Sequence, residues 1–137
     1  MSEIGKDKMQ IIQYRLDQAD ETIDVVQLLI DNDKLPVAVN RIYYGVFYSL
    51  LALGLKHDFQ TSKHLQLIGW FNREFIKKGK IEVIFGNILR KAYENRTSGD
   101  YDSFCEFEKE EVIFLFSEMK LFIERIKVYI HHDDNKI

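Results

Sequence analysis

The 137-residue chain has one cysteine, Cys105, and one proline, Pro36. A lone thiol excludes an intramolecular disulfide and makes no cysteine-ligated zinc centre, which fits a reducing compartment, and the cytoplasm is expected. The polar start MSEIGKDKMQ lacks the apolar core of a secretory signal. The longest apolar run, Ile42 to Leu55, follows Asn40 and Arg41 and falls short of the ~20 residues that span a bilayer. A net charge of −3 argues against broad adhesion to nucleic acid, so any such contact is local. HExxH, a Gly-rich phosphate loop, a nucleophile elbow and a dinucleotide fingerprint are all absent. The four histidines, His57, His64, His131 and His132, show no metal-ligand spacing, and neither metal nor cofactor is expected.

What the chain does have is hydrophobic residues, 46% of the total, in helical register. Ile12, Leu16, Ala19, Ile23, Val26 and Ile30 step by four and three, which predicts a helix from about Lys8 to Ile30 with one buried face. The stretch AVNRIYYGVFYSLLALGL, Ala38 to Leu55, is apolar on every side and is read as the central, most buried helix. Gly45 in its middle costs on the order of 1 kcal/mol relative to Ala, and the expected return is close approach of another helix. Asp31, Asn32 and Asp33 are expected to cap this helix, with Pro36 in its first turn.

A third helix is expected from a Thr61 or Ser62 cap to about Lys78. Leu65, Ile68, Trp70, Phe71, Phe75 and Ile76 supply its buried surface, and Gly79 stops it. A short fourth helix, about Ile81 to Glu94, carries Ile84, Ile88, Leu89, Ala92 and Tyr93 in register. After the polar loop Asn95 to Tyr101, Ser103 and Glu106 form a capping box. It opens a last helix whose face is Val112, Leu115, Phe116, Met119, Phe122, Ile123, Ile126 and Ile130. The tail, about 132–137, is expected to fray. The predicted class is all-α: a single domain, 1–137, an antiparallel helical bundle of four long helices plus one short one.

Two groups of residues invite a chemical reading. Asn40, Arg41, Tyr43 and Tyr44 open the central helix; they either satisfy one another and water at the end of the bundle or line a site with the Asn95 to Tyr101 loop. Basic residues of the second half, among them Lys63, Arg90 and Arg96, either converge on a phosphate or are solubility charge.

Three fragments in order, AVNRIYYGVFYSLLALGL, TSKHLQLIGWFNREFIKKGKI and LRKAYENRTSGDYD, resemble the HEPN domain. More narrowly they resemble its branch with an RxYYxxFY helix, here Arg41 to Tyr48, and an RxxxDY loop, here Arg96 to Tyr101. The resemblance implies a small helical bundle, a homodimer, and pairing with a minimal nucleotidyltransferase in a toxin–antitoxin type of two-component system. It also implies a metal-independent ribonuclease motif RxxxxH, whose arginine falls on Arg96 and whose histidine position holds Tyr101. A histidine there would move the proton of a ribose 2′-hydroxyl, whereas a tyrosine of pKa ≈ 10 is ionised about once per thousand molecules at pH 7. The expectation is therefore a binding component that holds a nucleotide or RNA phosphate at Arg96, with Asp100, Tyr101, Asn40, Arg41 and Tyr44 around it. Tyr101 is a hydrogen-bonding or modifiable hydroxyl in this reading. A weak ribonuclease toxin, with Arg96 and Tyr101 as the catalytic candidates, and a ligand-free helical scaffold are the alternatives.

Overall fold

A computed structural model describes residues 3–97 and 107–134. Its helices are α1 (Glu3–Asp31), α2 (Leu35–Lys56), α3 (His64–Phe71), which runs into a π-helical turn (Asn72–Ile76), α4 (Val83–Asn95) and α5 (Lys109–Asp134). The all-α class is as read from the periodicity.

Helix α2 is the axis of the fold. Twelve of its residues, from Ala38 to Gly54, are buried, and Tyr43, Val46, Leu50, Ala52 and Leu53 have no exposed surface. The apolar stripe of α1 lies against it, with Leu16, Ala19 and Val26 at most 1% exposed. All eight apolar residues expected to form the face of α5 are buried. Ion pairs give the directions. Lys8 of α1 meets Asp58 just beyond α2, while Lys109 and Lys127 of α5 reach Asp33 and Asp20. Helix α1 is therefore antiparallel to both α2 and α5, and those two run the same way. Lys91 on Glu118 and Arg125 on Glu82 set α4 antiparallel to α5. At Gly45 the missing side chain is filled by the Met119 methyl, with Thr22 Cγ2 3.3 Å from where a Cβ would stand. Two neighbouring helices thus use this one gap.

Three corners share one device. Lys34 N–H donates to Leu29 O and Asp33 N–H to Ile30 O at the end of α1. Phe59 N–H to Gly54 O and Asp58 N–H to Leu55 O repeat the pattern after α2, and Lys80 N–H to Phe75 O with Gly79 N–H to Ile76 O repeat it after the π turn. Each is a paired 6→1 and 5→2 closure around a left-handed residue, at Asp33 (φ 57°), Asp58 (φ 59°) and Gly79 (φ 72°). Gly79 is thus the expected stop. Asp31 to Asp33, by contrast, do not cap α2, whose start at Lys34 has no side-chain cap; they finish α1, and Asn32 Nδ2 donates back to Leu28 O. The reason is that the two helices are joined by so few residues that the closure of α1 uses the segment a cap would need.

Other expectations shift as well. Helix α1 begins before Lys8. Helix α3 starts at His64, and Thr61 Oγ1 accepts only from Lys63 N–H, one residue ahead of the helix. Leu65 and Ile84, expected inside, are 66% and 53% exposed. The π turn rotates the helix by an extra residue, and Ile81 and Phe85 cover the core where Ile84 was expected. Ser103, Cys105 and Glu106 lie outside the described residues, as does the far tail.

Candidate functional site

Residues from three helices meet where α2 begins and α4 ends. Gly54 helps to bring them together. Its carbonyl receives the N–H of Phe59, and a Cβ on it would stand 2.6 Å from Phe59 O, so only glycine lets the chain fold back this tightly. The turn delivers His64, the first residue of α3, to the flank of α2. There the imidazole stacks on Phe47, with ring centroids 4.1 Å apart and 9° between planes. The Tyr43 hydroxyl lies 2.6 Å from His64 Nδ1, and the edge of Tyr44 faces the same imidazole at 6.2 Å.

Helix α4 supplies the other wall. Tyr93 meets Tyr43 edge-on at 5.7 Å. Arg96, at the C-terminal end of α4, folds back so that its guanidinium lies 3.8 Å above the Tyr93 ring, with Nη1 donating to Tyr93 O at 2.7 Å. Asn40 Nδ2 donates to the Arg96 carbonyl at 2.9 Å, which ties the first turn of α2 to the end of α4. Arg41 donates from Nε and Nη2 to Asn40 Oδ1 at 3.2 and 2.9 Å and lies 4.3 Å above the Tyr44 ring.

Both arginines are thus placed by rings and neutral oxygens; among the described residues neither forms an ion pair. A guanidinium on an aromatic face keeps its full charge and most of its five donors. Arg96 also shields an end of its own helix, where a cation is favoured by the dipole. Burial, opposed in part by the Arg96 charge, pushes the Tyr43 phenol well above the ordinary tyrosine pKa. Burial and then Arg96 hold His64 below the usual histidine value. The arrangement is a cationic, aromatic-walled cluster suited to an anion with a flat group attached.

Of the residues singled out in the sequence, Asn40, Arg41, Tyr44 and Arg96 are brought together here. Asp100 and Tyr101 lie outside the described residues. Two members escaped the sequence reading. Tyr93 was counted as core, and His64 was read only as a histidine without metal-ligand spacing and as part of the TSKHLQL fragment; its place two residues after Ser62 was the one available signal. Among the described residues no three histidine, cysteine, aspartate or glutamate side chains gather as metal ligands, and no helix is long and apolar enough to cross a membrane.

A model of the HEPN domain matches residues 12–129. The chain belongs to the HEPN domain family, whose match takes in every residue of the cluster. It is 39% identical over 124 residues to a UPF0332 protein of Thermotoga maritima, an alignment covering 90% of this chain and 94% of that one. Two proteins of Methanocaldococcus jannaschii that carry the name "Putative toxin" are also similar. One is 35% identical, over 90% of this chain and 92% of its own; the other is 30% identical, over 87% and 81%.

Proposed function

We propose that this chain is the HEPN component of a toxin–antitoxin type of pair and that it binds a nucleotide or RNA phosphate at Arg96. The observation that carries the reading is the Arg96 guanidinium laid on Tyr93 beside Arg41 on Tyr44, two cations without carboxylate partners among the described residues. Such a pair attracts phosphate oxygens, and the rings around it offer stacking surface for a base. The toxin names of two relatives support the same class of system. In this reading the chain works as a homodimer with a minimal nucleotidyltransferase as partner. Asn40 holds the end of α4 in place, while Asp100 and Tyr101 complete the site from the loop that follows Arg96.

Fluorescence anisotropy with a labelled single-stranded oligoribonucleotide tests the binding. Arg96→Ala should lose it while keeping its helical circular dichroism. Undiminished binding by Arg96→Ala would overturn the reading. Metal-independent cleavage of the RNA by the unmodified protein, lost in Arg96→Ala, would replace it with the ribonuclease toxin. Light scattering tests the dimer, and copurification after co-expression tests the nucleotidyltransferase partner.

A further inference from the structure

In the sequence motif the histidine position after Arg96 is Tyr101. In three dimensions a histidine from a different helix packs against the same tyrosine as Arg96. His64 is fixed by three rings of α2: it stacks on Phe47, lies 24° from parallel to Tyr43 at 5.6 Å, and meets the edge of Tyr44. The Arg96 guanidinium carbon lies 5.8 Å from that same Tyr43 ring, so one buried tyrosine has both groups against it.

The hydrogen bond between Tyr43 and His64 decides where the imidazole proton sits. Tyr43 has no exposed surface, and its burial opposes ionisation of the phenol. Among the described residues no other acceptor meets its hydroxyl, so the O–H is assigned to Nδ1 of His64, which accepts in this tautomer. A neutral imidazole with an accepting Nδ1 carries its proton on Nε2. Among the described residues nothing pairs with that Nε2–H, although the ring is partly exposed.

We propose that His64 is a second phosphate-binding group of the Arg96 site, donating from Nε2 to a phosphodiester oxygen and taking up a proton at Nδ1 as the phosphodiester binds, the Tyr43 hydroxyl then turning to accept from Nδ1–H. This rests on the reading that Arg96 holds a phosphate. In the free protein, burial and the Arg96 charge both oppose an imidazolium. An anion seated between the two groups offsets the Arg96 charge and favours the imidazolium, so binding and proton uptake promote each other. The titratable groups against His64 are Tyr43 and Tyr44 from α2; the Arg96 charge acts on it from α4, and Lys63 adjoins it in the chain. The window that tests the proposal, about pH 5.5 to 8, spans the ordinary histidine value. A phosphodiester is the diagnostic ligand because, unlike a phosphomonoester, it does not change charge in that window.

The probe is a rhodamine-labelled 2′-O-methyl oligouridylate, which cannot be cleaved through its 2′-oxygen, titrated by anisotropy at fixed ionic strength. Wild type should bind several-fold tighter at pH 5.5 than at pH 8, approaching the roughly tenfold limit that a one-unit pKa rise on binding gives at still lower pH. His64→Gln cannot take up a proton; whatever its affinity at pH 8, it should gain less than about twofold on acidification. Wild-type NMR supplies a readout independent of any variant: the His64 imidazole pKa should rise on saturation with the oligonucleotide. If Arg96→Ala loses binding but His64→Gln keeps the full acid gain, or if the His64 pKa does not move on binding, the role of His64 is overturned and the Arg96 site survives. If Arg96→Ala binds as wild type, or wild type does not bind, both fall.

Discussion

The hydroxyl of Tyr43, fully buried on α2, lies 2.6 Å from Nδ1 of His64, the first residue of α3. This bond joins the two helices at the candidate site and makes a histidine part of the structure. Because the folded protein holds His64 below its ordinary pKa, the unfolded chain binds the proton more readily. The stability this provides is complete above the unfolded value, near pH 6.5, and is lost as pH falls through that region. The melting temperature should therefore drop between about pH 7.5 and 5.5. His64→Gln should flatten this part of the profile while leaving the steeper loss below about pH 4.5, where carboxylates protonate. A profile identical to wild type would show that His64 is not linked to folding.

Asn40 is the only described side chain whose hydrogen bond reaches the main chain of Arg96 from another helix. Asn40→Ala should cost about 1 to 2 kcal/mol in urea unfolding, the usual effect of leaving a partly buried carbonyl unpaired. It should also weaken phosphate binding by a larger factor than Lys63→Ala, because Arg41 loses its acceptor at the same time. Equal effects of the two substitutions on binding would mean that the position of Arg96 does not depend on Asn40.

The two glycines of α2 should respond differently. A Cβ on Gly45 meets the mobile end of Met119, so Gly45→Ala is accommodated by a methionine shift. Gly45→Leu should overpack the contact with Thr22 and Met119 and cost about 1 to 3 kcal/mol. At Gly54 the obstacle is the Phe59 carbonyl, which has no such freedom. Gly54→Ala should already be strongly destabilising, and it should displace the turn that carries His64. Thermal unfolding of the three variants checks the order; a harmless Gly54→Ala would show that the turn has room.

Asp33 holds a left-handed conformation that L-residues adopt at a cost of about 1 kcal/mol or more. Its ion pair with Lys109 joins two well-exposed side chains, an interaction of small worth. Asp33→Gly should therefore raise stability by up to about 1 kcal/mol, with the helix content unchanged in circular dichroism. A loss instead would assign the Lys109 pair more weight than exposed pairs usually have.

The helices and their inner faces were legible before any coordinate was known. The stripes of α1 and α5 follow from a period of 3.6 residues, which is a local property of the chain, and the all-round apolar character of α2 can be satisfied only by surrounding it. Gly45 was recognisable because a residue so unfavourable in a helix implies a neighbour that needs the space. The RxYYxxFY and RxxxDY patterns likewise named Arg41, Tyr44 and Arg96, and the start of the central helix named Asn40, without showing that they touch.

Tertiary structure alone decided the rest. Leu65 and Ile84 have the right residue type for a core but end outside it: Ile84 follows the π turn and the Gly79 corner, which reset the rotation of α4, while Leu65 lies on the exposed side of α3, whose buried residues are Leu67, Trp70 and Phe71. Asp31 to Asp33 carry the side chains expected to cap α2 but finish α1 instead, because the chain must close α1 within the few residues that let α2 pack back on it. His64 is 32 residues before Arg96 in the sequence, so no local spacing could pair them. Their meeting depends on the Gly54 turn, on the stacking surface of Phe47 and on the angle at which α4 crosses α2. Sequence periodicity determines which side of a helix is buried, whereas a cluster drawn from three helices depends on how they are oriented to one another.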